Sequence, residues 1–135
     1  MQADLLKGIK IVDFTTYAAA PCSVRMLADW GADVIKVEGF SGDPMRAFGA
    51  NLGDTPYTEE ENPVWEYENG NKRGISVDLK TEKGMEIMRK LLSEADAFVS
   101  NVRAASLDKL GLSYEKLHEK YPKLVVGVIS GFGLY

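Results

Sequence analysis

One cysteine, Cys22, and one histidine, His118, are all that the 135 residues hold of two side chains much used for nucleophilic and metal chemistry. A lone cysteine can close no disulfide within the chain, which excludes a small disulfide-stapled scaffold and suits a reducing cytoplasm. One histidine and one distant cysteine supply too few soft ligands for a catalytic metal, and neither Cys-x-x-Cys nor His-x-x-x-His spacing occurs. His118 lies in the polar stretch 115–120 and is expected on the surface. Positive charge is also scarce: 16 Lys and Arg stand against 20 Asp and Glu, for a net charge of -4 and a pI near 5.0. That balance argues against nucleic acid or an anionic membrane held by bulk electrostatics, and leaves room only for a local basic pocket. Apolar runs such as 124–129 are far too short to span a bilayer, and the opening Met1-Gln2-Ala3-Asp4 is too polar for a signal peptide. A cytoplasmic protein with a small-molecule partner is expected.

What is present suits one globular domain, with 45% hydrophobic and 27% charged residues. Ile9 to Phe14 reads as a buried parallel strand, Thr15 to Ala20 as a loop of small residues, and Pro21 as the first position of a helix with Val24, Leu27 and Ala28 on one face. Gly31 fits the stop of that helix, and Ala32 to Glu38 is a second strand. Together they make a βαβ unit of about thirty residues. Residues 39 to 63 lack periodicity and read as a long surface loop, followed by a short helix over 64–69. Further strands are expected at 74–79, 97–100 and 124–129. Between them come helices capped by Thr81 and Ser113 and a short one near 105–110. Alternation of this kind predicts an α/β fold: an open, doubly wound, Rossmann-like parallel sheet with crossover helices, incomplete at its carboxyl end. Ligands of such sheets sit outside the carboxyl ends of the strands.

Dinucleotide binding is the first chemistry to test, because Glu38 ends the second strand where a ribose-binding acid would lie. The turn after the first strand reads Thr15-Thr16-Tyr17-Ala18-Ala19-Ala20-Pro21, without the glycines that let a pyrophosphate approach the backbone. No Walker loop occurs. Cys22 falls in the first turn of a helix, where a thiol can be activated, but no histidine is near in sequence to serve as its base, and a packed cysteine is the plainer reading. The strand ends themselves carry Ala18 and Ala19, Glu38 and Gly39, Val77 to Lys80, Asn101 to Arg103, and Ser130 to Gly133. Small residues there admit a flat ring or a thioester backbone, Lys80, Arg103 and Lys109 can neutralise phosphates, and Asn101 can hydrogen-bond in either sense. These segments are expected to line one cleft.

Read in order, several segments resemble family III CoA-transferases, the group of formyl-CoA and carnitine CoA-transferases. They are Leu6 to Phe14 with Ala20-Pro21, Leu27 to Glu38, Gly42-Asp43-Pro44, Asn71-Lys72-Arg73 with Asp78-Leu79-Lys80, Ala95-Asp96, Asn101-Val102-Arg103, Leu110 to Tyr114, and Ser130-Gly131-Phe132-Gly133. The resemblance implies an acyl-CoA donor, a carboxylic acid acceptor, and an aspartate nucleophile that forms a mixed anhydride and then an aspartyl-CoA thioester. In the family that aspartate follows the Ser-Gly-Phe-Gly segment by a few dozen residues. No catalytic residue is therefore expected within residues 1–135, which should be the amino-terminal, CoA-binding part of the large domain. Asp13, Asp43 and Asp78 match structural or loop positions instead.

The coenzyme A site is what the resemblance carries over. Ala18 and Ala19 match a loop bordering CoA; Val77, Asp78, Leu79 and Lys80 match a segment flanking the adenosine. Asn101, Val102 and Arg103 match a stretch that contacts the pantetheine or phosphates, Lys109 a basic phosphate contact, and Ser130, Gly131, Phe132 and Gly133 a wall near the thioester. Gly39 stands where members carry arginine. Within the family, the acidic run Glu59-Glu60-Glu61-Asn62 and the charged helix over 114–121 are similar to 2-hydroxyacyl-CoA transferases. The resemblance also implies an interlocked homodimer, and therefore exposed apolar surface on a part taken alone. A stand-alone CoA- or nucleotide-binding module without catalysis is the alternative the same residues allow.

Overall fold

The β-branched runs form five parallel strands, here in a computed structural model that describes residues 4–48 and 61–133. In chain order the elements are β1 (Lys10–Phe14), α1 (Ala19–Asp29), β2 (Asp33–Glu38), α2 (Met45–Phe48), α3 (Pro63–Asn69), β3 (Arg73–Ser76), α4 (Glu82–Glu94), β4 (Ala97–Ser100), α5 (Ala104–Lys109), α6 (Tyr114–Lys120) and β5 (Val125–Val128). The sheet order is β3-β2-β1-β4-β5, with Ile11 level with Val34 on one side and Ala97 on the other. The chain steps outward from β1 to β3 and then jumps back to pair β4 with β1. The turns leaving β1 and β4 therefore run in opposite directions and open a crevice between them, the switch point of such a sheet.

Alternation along each strand divides the core between the two sheet faces. Ile11 and Val34 pack on one face with Val24 and Ala28 of α1, while Val12 and Phe98 pack on the other with Met88 and Leu92 of α4, Leu107 of α5 and Leu117 of α6. Helices on both faces make the sheet doubly wound, as the sequence predicts. Thr81 caps α4 by accepting from the Gly84 amide at 3.1 Å, whereas Ser113 occupies the cap position of α6 without a side-chain bond to the backbone. Gly31, with φ 99°, ends α1 as expected. α1 itself begins two residues before Pro21, which loses nothing by it, because the first amides of a helix have no intrahelical acceptor.

One expectation is corrected. The described parts of 39–63 are not simply surface loop, since Asp43, Met45 and Asn62 are buried. Asn62 donates to the carbonyls of Met45 and Arg46 at 2.9 and 2.8 Å and accepts from the Trp65 amide at 3.0 Å, so it ties α2 to α3 and caps the latter. Glu59 and Glu60 of the acidic run lie outside the described residues. On the outer face of β5, Val125 is 67% exposed, an apolar residue that no helix described here covers.

Gly84 shows how tightly α4 approaches the turn before it: a Cβ added there would come within 2.0 Å of the Asp78 carbonyl oxygen. Gly84→Ala is expected to destabilise the chain by about 3 kcal/mol, at the upper end of overpacking costs. Urea unfolding checks it, and a loss below about 0.5 kcal/mol would mean that the 77–81 turn can move aside.

Candidate functional site

Two charged residues sit where a parallel sheet ordinarily keeps aliphatic ones: Asp13 in β1 and Lys36 in β2, with 0% and 1% of their surface exposed. Each has a partner. Lys36 Nζ lies 3.1 Å from Asp43 Oδ2, and Lys72 Nζ lies 2.8 Å from Asp13 Oδ2. Lys72 also donates to the Pro21 carbonyl at 2.8 Å and to Asn69 Oδ1 at 3.0 Å. Burial lowers the pKa of Lys72, and the charge and hydrogen bond of Asp13 only partly offset that. Glu68 lies in the same group, 3% exposed, and among the described residues its Oε2 has no hydrogen-bond partner. Burial, and then the charge of Asp43, push its carboxyl above the usual range against the pull of Lys36 and Lys72.

These pairs hold the turn that leaves β1. Lys36 Nζ donates to the Thr15 carbonyl at 2.8 Å, Asp13 Oδ1 accepts from both the amide and the hydroxyl of Thr15, and Asp43 Oδ1 accepts from the Tyr17 amide at 3.1 Å. From the other side of the crevice, Asn101 accepts from the Thr16 amide at 2.9 Å and donates to the Thr16 carbonyl at 2.8 Å. Tyr17 is left with φ 59°, a left-handed conformation that costs a non-glycine residue about 1–2 kcal/mol. At the rim, Glu38 closes the arrangement with a two-pronged bond to Arg46 at 2.8 and 2.9 Å. Burial alone would raise the Glu38 pKa, but the hydrogen bonds from Arg46 and the Asp43 amide, with the charges of Arg46 and Lys36, outweigh it and hold the carboxyl below its usual range.

Above the turn lies a cleft of about 700 Å³ lined by Ala19, Asn101 to Ala104 and Ile129 to Gly133. Three of the segments singled out in the sequence thus converge, and Ala18 adjoins them at the cap of α1, which no side chain caps. Arg103, exposed at the lip, makes no ion pair among the described residues. The remaining residues do not join this cleft, so the single cleft expected from the sequence is corrected to two. Gly39 lines a separate one of about 440 Å³, with Phe40, Gly42, Arg46 and Ser76, because β2 and β3 lie on the far side of β1 from β4. Val77 and Leu79 turn into the core, Asp78 accepts from the Lys80 amide at 3.0 Å, and Lys80 is exposed. Lys109, also exposed, ends α5 and lines neither cleft. Asn101 spends both senses of its amide on Thr16.

Cys22 is half-buried, and burial followed by the charge of Glu68 raises its pKa, the opposite of an activated thiol. His118 is exposed and stacks on Tyr114. Sequence reasoning missed the two buried ion pairs. Their signal was present: an aspartate and a lysine in the middle of β-branched runs have to be paired if those runs are buried.

The model of CoA-transferase family III matches residues 6–135. The (R)-2-hydroxy-4-methylpentanoate CoA-transferase of Clostridioides difficile is 48% identical over 129 residues, which are 96% of this chain and 32% of that protein. The cinnamoyl-CoA:phenyllactate CoA-transferase of Clostridium sporogenes is 44% identical over 130 residues, 96% of this chain and 31% of that protein. Among solved structures, a CAIB/BAIF family protein from Brucella suis superposes with a TM-score of 0.84 at 38% identity, covering 96% of this chain and 34% of that one. The chain thus spans about a third of the length of the curated relatives it matches.

Two outcomes follow from the buried charges. Lys36→Met leaves Asp43 without its counter-ion and is expected to cost about 3–5 kcal/mol in urea unfolding. Adding Asp43→Asn, which keeps an oxygen for the Tyr17 and Met45 amides, should recover part of that loss; a double variant no better than the single one would mean the charge pair is not what matters. Glu68 gives a pH signature. A carboxyl whose folded pKa is raised contributes stability below its unfolded pKa and loses it as pH rises through the folded value. Glu68→Gln, neutral throughout, should therefore match the parent Tm at pH 4 and exceed it at pH 7.5; thermal melts with equal gaps at both values would contradict this.

Proposed function

The chain belongs to CoA-transferase family III, and on that premise we propose that it is the amino-terminal, CoA-binding part of the large domain of an enzyme that moves CoA from an acyl-CoA thioester to a carboxylic acid. The observation that carries the reading is the 700 Å³ cleft at the switch point. Its linings, Ala19, Asn101 to Arg103 and Ser130 to Gly133, come from the segments that the family resemblance assigns to CoA. The chemistry of the lining suits that ligand. Ala19, Gly131 and Gly133 leave room for the slender pantetheine arm, Val102 and Ile129 offer it apolar contact, and Arg103 can meet a phosphate. Ala18, Gly39, Val77 to Lys80 and Lys109 complete the proposed set. Of these, Gly39 lines the second cleft, Val77 and Leu79 are buried, and Lys80 and Lys109 are exposed cations for the phosphates.

Transfer itself is assigned to an aspartate beyond this chain. Its carboxylate attacks the donor carbonyl and expels CoA thiolate, leaving a mixed anhydride; the thiolate then attacks the aspartyl carbonyl, releasing the donor acid and leaving an aspartyl-CoA thioester. The acceptor carboxylate reverses both steps on its own account. In this scheme residues 1–135 hold CoA and place its sulfur, and by themselves turn nothing over. A 2-hydroxy acid is the acceptor class favoured, since both curated relatives described above are named for one. The whole enzyme is proposed to be a cytoplasmic, interlocked homodimer. Among the described residues, no helix is long and apolar enough to cross a membrane.

Titration calorimetry with free CoA tests the cleft. The chain is expected to bind, and Arg103→Ala to weaken binding about tenfold, the loss of one charge-assisted hydrogen bond. The gap should narrow at high salt. An Arg103→Ala variant with unchanged affinity at low salt would remove the cleft from the CoA path, and transfer activity by the 135-residue chain alone would contradict the assignment of the nucleophile.

A further inference from the structure

Asparagine is followed by glycine once in the sequence, at Asn69-Gly70. Such a pair is chemically labile in an open chain, because glycine has no Cβ to keep its amide nitrogen from closing on the side chain before it. The Gly70 nitrogen attacks Asn69 Cγ, the bond from Cγ to Nδ2 breaks, and ammonia leaves with the amide proton. Water then opens the cyclic imide at either carbonyl, giving aspartate or isoaspartate. The reaction consumes only water. In the folded chain its atoms are all engaged. The Gly70 N–H donates to the Glu66 carbonyl at 2.9 Å, which holds back the proton that the nucleophile has to lose. Asn69, 9% exposed, donates from Nδ2 to the Trp65 carbonyl at 3.3 Å and accepts at Oδ1 from Lys72 Nζ at 3.0 Å.

Lys72 beside Oδ1 draws electrons from Cγ and makes it a better target, so the protection lies in the closed last turn of α3 and not in the cation. That helix has only seven residues, and helix ends of this kind open at low free energy. The same asparagine is tied to the ion pair that anchors β1, since Lys72 Nζ joins Asn69 to Asp13 and to the Pro21 carbonyl. All three protons of the ammonium are thereby used. The buried group around it already sets Asp13, Asp43 and Glu68 against Lys36 and Lys72. A further carboxylate at position 69 has no cation left to meet it. An isoaspartate lengthens the backbone by one methylene just ahead of Lys72. We propose that Asn69 is a deamidation site gated by the last turn of α3: it reacts with water only in molecules whose turn has opened, and its product no longer closes over Lys72.

The test incubates the chain near neutral pH in buffer and in unfolding guanidinium, and follows Asn69 by peptide mass spectrometry with enzymatic methylation to mark isoaspartate. Conversion in buffer is expected to run at least about tenfold slower than in guanidinium, because it follows the population of the opened form. Asn62→Ala removes the cap at the other end of α3, and should speed conversion in buffer about fivefold while leaving the guanidinium rate unchanged. Converted chain, separated by its extra negative charge, should melt below unconverted chain. Equal rates in buffer and guanidinium would overturn the gate, as would an Asn62→Ala rate in buffer equal to that of the parent. Converted chain that melts together with unconverted chain would overturn the link to Lys72.

Discussion

Asp13 and Lys36 lie inside a parallel sheet, where water cannot reach them, and each has to meet its opposite there. Asp43 supplies the opposite charge from the loop just after β2, and Lys72 from a turn 59 residues beyond Asp13. An uncompensated charge at either place would cost several kcal/mol, so the loops holding Asp43 and Lys72 are fixed as firmly as the strands. A hydrophobic pair would seal the sheet as well. It would not reach out to two residues of the turn after β1, as these groups do through the Thr15 amide, hydroxyl and carbonyl and the Tyr17 amide. The stability these pairs return is thus less important than the one backbone path they leave open.

That path explains why a fold without the glycine-rich turn of dinucleotide-binding proteins can still present a strand end to a ligand. A glycine-rich turn lets a pyrophosphate come against bare backbone. Here the turn carries alanines and a tyrosine, is pulled down from below by buried charges and held from the side by Asn101. Small side chains at 18 to 20 keep the entrance to α1 open, while Arg103 brings positive charge from the neighbouring strand end.

Much of this was legible in the sequence. The βαβ unit, the strand count and the alternation of helices follow from β-branched runs separated by amphipathic ones, and Thr81 and Gly31 marked helix ends correctly. The convergence of Ala19, Asn101 to Arg103 and Ser130 to Gly133 followed from the rule that sites form at carboxyl ends of strands. The division into two clefts did not, because strand order decides which ends are neighbours, and periodicity does not report strand order. Residues 39–63 misled for a related reason. Gly, Asp, Asn and Pro signal irregular backbone, but whether Asp43 and Asn62 face water or the interior depends on partners in other elements, Lys36 and Tyr17 for the one and the carbonyls of α2 for the other.

Strand order has a consequence for how the molecule comes to exist. Of the five described strands β1 comes earliest and lies at the centre, yet one of its two neighbours is β4, so that Lys10 and Asp96 are joined across 86 residues. At ordinary rates of synthesis those residues take on the order of ten seconds to appear. For that interval the edge of β1 has no partner and its buried aspartate no counter-ion until Lys72 emerges. Parallel pairing across such separations is intrinsically slow. An aspartate in the middle of an apolar strand keeps that waiting edge soluble, so a residue that later anchors the turn first serves as a guard against premature association.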